Sequence, residues 1–172
     1  MIIQKINGTY LADQDRILLR MSSNQQEELR LWITRRTCID LLAKIVETSV
    51  KSVGNEHKVL PSSAKVIDNF NQETLSKTLD YQVPFEPKNK LPLGHEPILI
   101  KEIKWRTIPY LPDGSFNIMW VLMNGKAISS PLNAVKLNAF RLLIEKLILE
   151  AHWDIAEKNL AQANSRPKSI VH

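Results

Sequence analysis

Apolar and polar side chains alternate in two short runs near the start of the chain. Residues 16–21 set Ile17, Leu19 and Met21 on one side of an extended backbone, and residues 28–34 repeat the alternation. A period of two is typical of a strand with one buried face. The spacer SSNQQ between the runs supplies Ser and Asn, which favour turns. The pattern predicts an antiparallel β-hairpin with a loop of about five residues.

The period of the pattern changes after Thr34. Apolar side chains then recur at spacings of three and four residues, which is the stripe of an amphipathic helix. The stripe consists of Cys38, Leu41, Leu42, Ile45 and Val46. Thr34 is the predicted N-cap, because its hydroxyl can accept a hydrogen bond from an unpaired amide of the first turn.

The same order of elements returns near the other end of the chain. An apolar run at 116–123 is followed by Asn-Gly at 124–125 and a short strand at 126–129. Asn-Gly between apolar runs is a strong hairpin signal. Ser130 and Pro131 predict an N-cap and a first helical turn, so the helix should start there and run to about residue 160. Its apolar stripe consists of Phe140, Leu143, Ile144, Leu147, Ile148 and Ala151.

The middle of the chain predicts one helix and one linker. A helix is predicted over 62–79, with an apolar stripe of Val66, Ile67, Phe70, Leu75 and Leu79. Four prolines make the segment 83–97 extended, because proline can sustain neither a helix nor a central strand.

A further strand is predicted over 98–108. It places Leu99, Ile103 and Trp105 on one side and Glu102, Lys104 and Arg106 on the other. Pro109 and Pro112 follow at once, which favours an edge position in the sheet.

These elements predict an α+β fold, with an antiparallel sheet built from two hairpin-plus-helix units. The units form an internal repeat of pattern, although sheet-then-helix order is also common in α+β proteins without duplication. The predicted organisation is a first unit at 1–50, a connecting helix and Pro-rich linker at 51–97, a second unit at 98–163 and a flexible tail at 164–172. All of them are expected to share one compact domain.

Charge and cysteine content narrow the class of protein. The chain of 172 residues carries a formal net charge of +5, from 23 basic and 18 acidic side chains spread along its length. This permits an anionic partner without requiring one. Cys38 is the sole cysteine, the first ten residues lack the apolar core of a signal peptide, and no apolar run is long enough for a bilayer. We therefore expect a cytoplasmic protein without membrane contact.

The hairpin produces a basic face with two competing interpretations. Arg16, Arg20, Arg30 and Trp32 should share one sheet surface. Such a surface could grip phosphates and stack a base of a single-stranded nucleic acid. The alternative is that Trp32 rests under arginine stems or under another element of the protein. Arg35 and Arg36, at the predicted N-terminus of the following helix, extend the candidate nucleic-acid-binding set.

Catalytic and metal signatures are weak throughout the sequence. Asp13 and Asp15 form a D-x-D pair, but the Gly and Glu that complete a calcium loop are missing. The five glycines are isolated, and the four histidines lie far apart in the sequence. Cys38 lies on an apolar stripe and is predicted to be a buried small hydrophobe. No catalytic residue, metal site, cofactor or small-molecule substrate is predicted.

Residues 15–36 carry a resemblance to known proteins. Asp15 to Arg20 reads DRILLR, and Glu28 to Arg36 reads ELRLWITRR. This resembles a group of proteobacterial proteins that share a D-R-[IL]-L-L-R … R-[LF]-W-[IL]-T-R-R signature and have no known activity. The order of elements also resembles Whirly and PUR-type single-strand binders, whose repeats are a curved antiparallel sheet followed by a helix. The K-G-K-A-A-L strand of Whirly proteins is absent.

Two functions from different classes follow. The first is a non-enzymatic structural or interaction module that self-associates as a homodimer, through its long C-terminal helix or an exposed sheet edge. The second is a single-stranded nucleic-acid binder that uses the basic, Trp-bearing face. An enzyme ranks third.

Overall fold

A computed structural model describes residues 2–78, 85–107 and 116–154. They form strands and helices in the order β1 (Ile3–Leu11), β2 (Arg16–Ser23), β3 (Glu28–Thr34), α1 (Arg35–His57), α2 (Pro61–Thr78), β4 (Ile98–Thr107), β5 (Phe116–Leu122), β6 (Ala127–Leu132) and α3 (Ala134–Glu150). The predicted α+β class is confirmed. Several predictions, namely Leu79, Ile108, the helix continuation at 155–163 and the tail at 164–172, lie outside the described residues.

The six strands form one sheet in chain order, from β1 to β6. Neighbouring strands are antiparallel except β3 and β4, which pair in parallel at Leu31–Ile98 and Trp32–Leu99. The helices cover one face, where α1 packs against β3 and β4 and α3 packs against β1 and β6. We call this the inner face, and the opposite face the outer face. None of the described helices combines the length and the hydropathy needed to span a bilayer.

The first hairpin and its helix are confirmed. β2 and β3 pair antiparallel from Arg16–Thr34 to Ser22–Glu28. Thr34 caps α1, and its side chain accepts a hydrogen bond from the Thr37 amide at 3.3 Å. α1 continues to His57, beyond the boundary predicted at residue 50, because its stripe of buried residues extends to Val53.

The core lies between the sheet and helices α1 and α3. The alternating residues predicted for the first hairpin, Ile17, Leu19, Met21, Leu29, Leu31 and Ile33, are all buried on the inner face. In the second hairpin Trp120 is fully buried and meets the Phe140 ring edge-on, with 6.1 Å between centroids. The indole of Trp120 donates a hydrogen bond to Ser130 Oγ at 3.0 Å, so the buried polar atom is satisfied.

Strand β1 was not predicted, because its Asn7 and Gly8 disfavour strands and its alternation is weak. Gly8 has a packing role: a Cβ at this position would overlap Leu147 Cδ1. The absence of a side chain therefore lets α3 approach β1 closely.

Strand β4 was predicted as an edge strand and is internal, between β3 and β5. A β-bulge between Ile100 and Glu102 shifts its register. The bulge moves Leu99 to the outer face, beside Trp32, and buries Ile100 instead. Since side chains alternate with a period of two, one extra residue reverses the face of everything before it.

Helix α3 is shorter than the predicted 30 residues at both ends. It is capped by Asn133, whose Oδ1 accepts from the Lys136 amide at 2.9 Å, while Pro131 belongs to edge strand β6. At the other end His152 adopts φ 50°, and the amides of His152 and Trp153 bond to carbonyls of the last turn. This is a Schellman motif, which ends a helix, here without the usual glycine.

Helix α2 forms over nearly the predicted range, but its orientation divides the predicted stripe, since Ile67 and Leu75 are half-buried and the other two described members are exposed. Val66 and Phe70, from the predicted buried stripe, are 69% and 68% exposed. The side that packs against α1 and α3 instead carries Ala64, Asp68 and Gln72, all buried.

Two units of three strands and a helix share the same backbone register. We call β1, β2, β3 and α1 the first unit, and β4, β5, β6 and α3 the second unit. Thr34 and Asn133, both N-caps, lie 99 positions apart, and the pairing of β2 with β3 equals that of β5 with β6 at this offset.

The irregular features of the two units also coincide. The bulge after Ile3 in β1 corresponds to the bulge after Ile100 in β4 at an offset of 97 positions, since Ile3 pairs with Ser23 and Ile100 pairs with Leu122. The hairpin turns place Gln26 and Gly125, 99 positions apart, at positive φ. A common origin of the units stays a prediction, which this agreement favours.

Candidate functional site

The outer face of β2 and β3 brings most of the predicted nucleic-acid-binding residues together. Arg20 lies opposite Arg30, Leu18 opposite Trp32, and Arg16 opposite Thr34. Each of these side chains is half-buried. The hairpin register therefore produces the basic face that the sequence predicts.

Glu28 neutralises two of the arginines. Its carboxylate is fully buried, and Oε1 accepts hydrogen bonds from Arg20 Nε at 2.9 Å and from Arg30 Nε at 2.8 Å. The second oxygen, Oε2, accepts from the Lys88 amide at 2.9 Å. The sequence analysis assigned Glu28 no role. The signal was available, since Glu28 lies two residues before Arg30 and diagonally opposite Arg20 in the predicted hairpin.

Glu28 is ionised at any physiological pH. Burial by itself would raise the pKa of this carboxyl, but the hydrogen bonds from Arg20, Arg30 and the Lys88 amide outweigh burial and lower the pKa to about 2. The carboxylate thus holds two cations in place, and charge-assisted hydrogen bonds of this kind are stronger than neutral ones.

Residues 85–97, which we call the covering segment, lie against this cluster. The Arg20 guanidinium carbon is 4.4 Å from the centre of the Phe85 ring. The Glu28 amide donates to the Lys90 carbonyl at 2.8 Å, and Arg30 Nη1 donates to the His95 carbonyl at 3.3 Å. The described part of the predicted linker, residues 85–97, contains no helix, and its backbone is hydrogen-bonded to the basic face.

The Glu28 carboxylate forms its hydrogen bonds with Arg20, Arg30 and the Lys88 amide, and not with Arg16 or Trp32. Trp32 is flanked in register by Leu18 and Leu99, so part of the indole packs against apolar neighbours. Arg16 has no hydrogen-bond or ion-pair partner among residues 2–78, 85–107 and 116–154.

Arg35 and Arg36 lie on the first turn of α1 and are exposed. Arg35 Nη2 donates to the Asp154 carbonyl at 3.3 Å, and its charge acts on Asp15. Arg36 has no such partner in the described part of the chain. The helix start therefore leaves one of its two arginines available.

Asp15, considered above for a D-x-D site, is a hydrogen-bond acceptor within the protein. Its Oδ1 accepts from Trp153 Nε1 at 2.6 Å and from the Tyr10 hydroxyl at 2.9 Å. These bonds, in that order, lower the pKa of the Asp15 carboxyl. Tyr10 and Trp153 also meet edge-on, with centroids 5.7 Å apart. Asp15 thus attaches the end of α3 to the β1–β2 turn.

A buried ionic cluster joins α2 to the other helices, and sequence reasoning missed it. Asp68 accepts from Arg141 Nη1 at 2.7 Å and from the Ser49 hydroxyl, while Arg141 Nε also binds Glu145 at 2.8 Å. Asn138 Oδ1 lies 2.9 Å from Ser49 Oγ, so the Ser49 hydroxyl has a second acceptor beside Asp68.

A cleft of about 250 Å³ adjoins this cluster, between α1, α2 and the start of α3. Ser49 and Asn138 reach it from the polar cluster, and Leu75, Phe116 and Val135 contribute apolar walls. Cys38 is elsewhere, fully buried in the core as predicted, where burial raises the pKa of its thiol to about 12. The described residues contain no group of three or more His, Cys, Asp or Glu side chains arranged for a metal ion.

No known protein family, no curated protein and no solved structure matches this chain. The resemblance of residues 15–36 to a proteobacterial signature, and that of the element order to Whirly and PUR-type binders, therefore stay predictions.

Proposed function

We propose that this protein is a non-enzymatic interaction module that self-associates through the exposed apolar side of α2. The observation that carries the proposal is the exposure of Val66 and Phe70, 69% and 68%, one helical turn apart. Leu60, just before the helix, is 73% exposed. A helix of a soluble monomer normally turns its apolar stripe to the core. A stripe that faces outward favours a partner on that side.

A buried ion pair fixes the orientation of α2. The Asp68 side chain is 1% exposed and is ion-paired with Arg141. Rotating α2 to bury Val66 and Phe70 would break this pair and leave a buried charge without its counter-ion, which costs several kcal/mol. The apolar side therefore stays outward unless a second molecule covers it.

A second copy of the chain fits this surface by symmetry. In an antiparallel pair of α2 helices about a two-fold axis, the exposed Val66 lies near the partner's Phe70. A two-fold interface makes this contact twice. The sequence analysis expected a dimer through a long, incompletely covered C-terminal helix. Helix α3 instead ends at Glu150, and four residues of its stripe are buried within the chain, namely Phe140, Ile144, Leu147 and Ile148.

Light scattering across a hundredfold range of protein concentration tests the proposal. We expect the mass of the native chain to rise from one to two chains, and Phe70→Asp to weaken the dimer about 30-fold or more, as loss of a central aromatic contact does. Asn71→Asp is the matched control: it adds the same charge to the same helix, on the side that borders the cleft. A monomeric native chain at all concentrations, or equal dimerisation of Phe70→Asp, would contradict the proposal.

Single-stranded nucleic acid is a second candidate partner. The favourable observation is that Arg16 and Arg36 have no counter-ion among the described residues and that Trp32 is half-exposed near Arg16. Glu28 already neutralises Arg20 and Arg30, so we expect a shallow salt dependence from few phosphate contacts.

Fluorescence anisotropy with a thymidine oligonucleotide tests this second candidate. We expect Trp32→Ala to weaken binding by about 1–3 kcal/mol through lost stacking, and Arg16→Ala to reduce the salt slope by roughly one contact. Arg30→Ala, which removes an arginine held by Glu28, should leave the slope unchanged. No binding at tens of micromolar protein in about 50 mM salt would exclude this role.

We also propose a cytoplasmic location. The single cysteine, buried with a protonated thiol, supports a reducing compartment, because no intrachain disulfide contributes to the fold.

A further inference from the structure

The side of α2 that packs against α1 and α3 carries polar residues where a helix normally carries apolar ones. Ala64, Asp68 and Gln72 recur at every fourth position and are all buried. Val66 and Phe70, on the opposite side, face outward. Most helices of soluble proteins are held by an apolar stripe that packs on the core. The attachment of α2 therefore depends on polar contacts to an unusual extent.

Gln72 makes this attachment less favourable. Its side chain is 6% exposed, and neither Nε2 nor Oε1 has a hydrogen-bond partner in the described part of the chain. A glutamine amide can donate two hydrogen bonds and accept two, and water supplies all of them when the side chain is exposed. A buried polar group without a partner favours the state in which water reaches it. Gln72 thus favours the release of α2 from the helices beneath it.

Asp68 opposes this release, but the groups that it binds do not depend on it alone. Its carboxylate accepts from Arg141 Nη1 at 2.7 Å and from the Ser49 hydroxyl. Arg141 Nε also binds Glu145, on the same helix, at 2.8 Å. Ser49 Oγ lies 2.9 Å from Asn138 Oδ1. The polar groups of α1 and α3 therefore keep a partner when Asp68 moves away.

The connection between α1 and α2 is built so that α1 can stay folded without α2. The C-cap of α1 is Lys58, at φ 52°, and its amide donates to the Gly54 carbonyl. The Val59 amide donates to the same carbonyl at 3.2 Å, so α1 ends with its own hydrogen bonds. Next to this turn the two helices meet at small residues, since a Cβ at Gly54 would lie 3.5 Å from that of Ala64. Few side-chain atoms hold the helices together there.

We propose that α2 is a lid that opens as a unit while the sheet, α1 and α3 stay folded. In the closed lid Asp68 is paired with Arg141 and Gln72 is buried without a partner. In the open lid water solvates both of these α2 side chains. Opening exposes the surface of α1 and α3 beneath the lid, including the Ser49 wall of the adjacent cleft. Local opening of a weakly held element needs less free energy than unfolding of the whole chain. It involves one chain and does not depend on the self-association proposed above.

Thiol labelling with Ellman's reagent tests the proposal in the full chain. Ala64→Cys places a thiol beneath the lid, and Val66→Cys places one on its exposed side as the matched control. The native Cys38, buried in the core, reports unfolding of the whole chain. The protein is kept at concentrations where light scattering gives one chain. We expect Ala64→Cys to react about 100-fold or more slower than Val66→Cys, and about 100-fold or more faster than Cys38.

Three substitutions in the Ala64→Cys chain identify the groups that control opening. Asp68→Asn removes the ion pair and should speed labelling about tenfold, whereas Gln72→Leu removes the unpartnered amide and should slow it about tenfold. Glu145→Gln is the control, because it changes a partner of Arg141 that lies outside the lid, and it should not speed labelling.

Hydrogen exchange of the native chain checks the result without any substitution beneath the lid. We expect the amides of residues 64–75 to exchange together, and faster than those in the middle of α1 and α3. The proposal would be overturned by equal labelling rates for Ala64→Cys and Cys38, or by exchange in α2 as slow as in α1. Labelling that responds to neither Asp68→Asn nor Gln72→Leu would overturn it as well.

Discussion

The first and second units share a backbone and differ in what their outer faces carry. The first unit buries the Glu28 carboxylate between two arginines and covers it with residues 85–97. The second unit has the exposed Ala127 at that position and carries no carboxylate there. The inner faces set the common register, since both bury apolar residues at every second position. The outer faces can therefore differ without any change in the strand pairing.

The inner faces also differ where a strand meets a helix. Gly8 in β1 corresponds to Trp105 in β4 at an offset of 97 positions, because they pair with the equivalent residues Leu19 and Ile118. Leu147 in α3 corresponds to Thr48 in α1 at an offset of 99. The small strand residue meets a large helix residue in one case, since Leu147 occupies the space above Gly8. At this place the glycine in the strand makes room for a large helix side chain, as close packing requires.

The largest expected difference between the units is in the stability lost when a carboxylate on the outer face is removed. We expect Glu28→Ala to lower the free energy of unfolding by about 3–4 kcal/mol, because two half-buried guanidiniums lose their counter-ion. Glu102→Ala is the matched control: this exposed carboxylate lies 3.6 Å from Lys104, and its loss should change stability by less than about 0.5 kcal/mol. Urea unfolding measures both, and equal losses would contradict a structural role for the Glu28 cluster.

Acid should weaken the first unit's cluster selectively. The Glu28 pKa is about 2 in the folded chain, against an ordinary value of 4.5, so the folded state favours the ionised form. This contribution is complete above the ordinary pKa and is lost as pH falls from 4.5 towards 2, with a size of about 3 kcal/mol. Unfolding free energies from pH 7 to pH 2 should show the loss. Glu28→Gln should flatten the acid limb, and an unchanged limb would rule out this assignment.

A side chain added at Gly8, where α3 closely approaches β1, should cause a smaller loss of stability. Gly8→Ala should destabilise the protein by about 2 kcal/mol, because Leu147 is buried and cannot move aside freely. Leu147→Val in the same chain should recover part of the loss. Gly54→Ala is the control, since a Cβ there makes only ordinary contact with Ala64 at 3.5 Å and α1 gains helix propensity. Thermal unfolding separates the two alanine variants, and equal behaviour would argue against steric contact at Gly8.

The smallest expected loss of stability comes from removing the N-cap of a helix, and it should be the same in both units. Thr34→Ala and Asn133→Ala each remove a side-chain acceptor for an amide of the first helical turn. Each should cost about 1 kcal/mol, and helical circular dichroism should change little. A much larger cost at one cap would show that the two helix starts are not equivalent.

Much of the fold could be predicted because its signals are local. The first hairpin, the N-cap at Thr34 and the Asn-Gly turn depend on residues close together in the sequence. The errors arose where a distant contact or an irregularity decided the outcome. Pro131 belongs to β6 because it pairs with Asn117, and Leu99 faces outward because of the bulge after Ile100. β4 is internal because it meets β3, and no local pattern reports that neighbour.

The sequence by itself determined the α+β class, the hairpins and the basic outer face of the first unit, since periodicity and turn residues act over a few positions. Only the tertiary structure decided what each surface meets. Lys88, 60 positions from Glu28, completes the carboxylate site that neutralises the arginines. Arg141, 73 positions from Asp68, turns the apolar side of α2 outward. A buried charge must be paired wherever its counter-ion lies in the chain, and that requirement outweighed the local preference of an apolar stripe for the core.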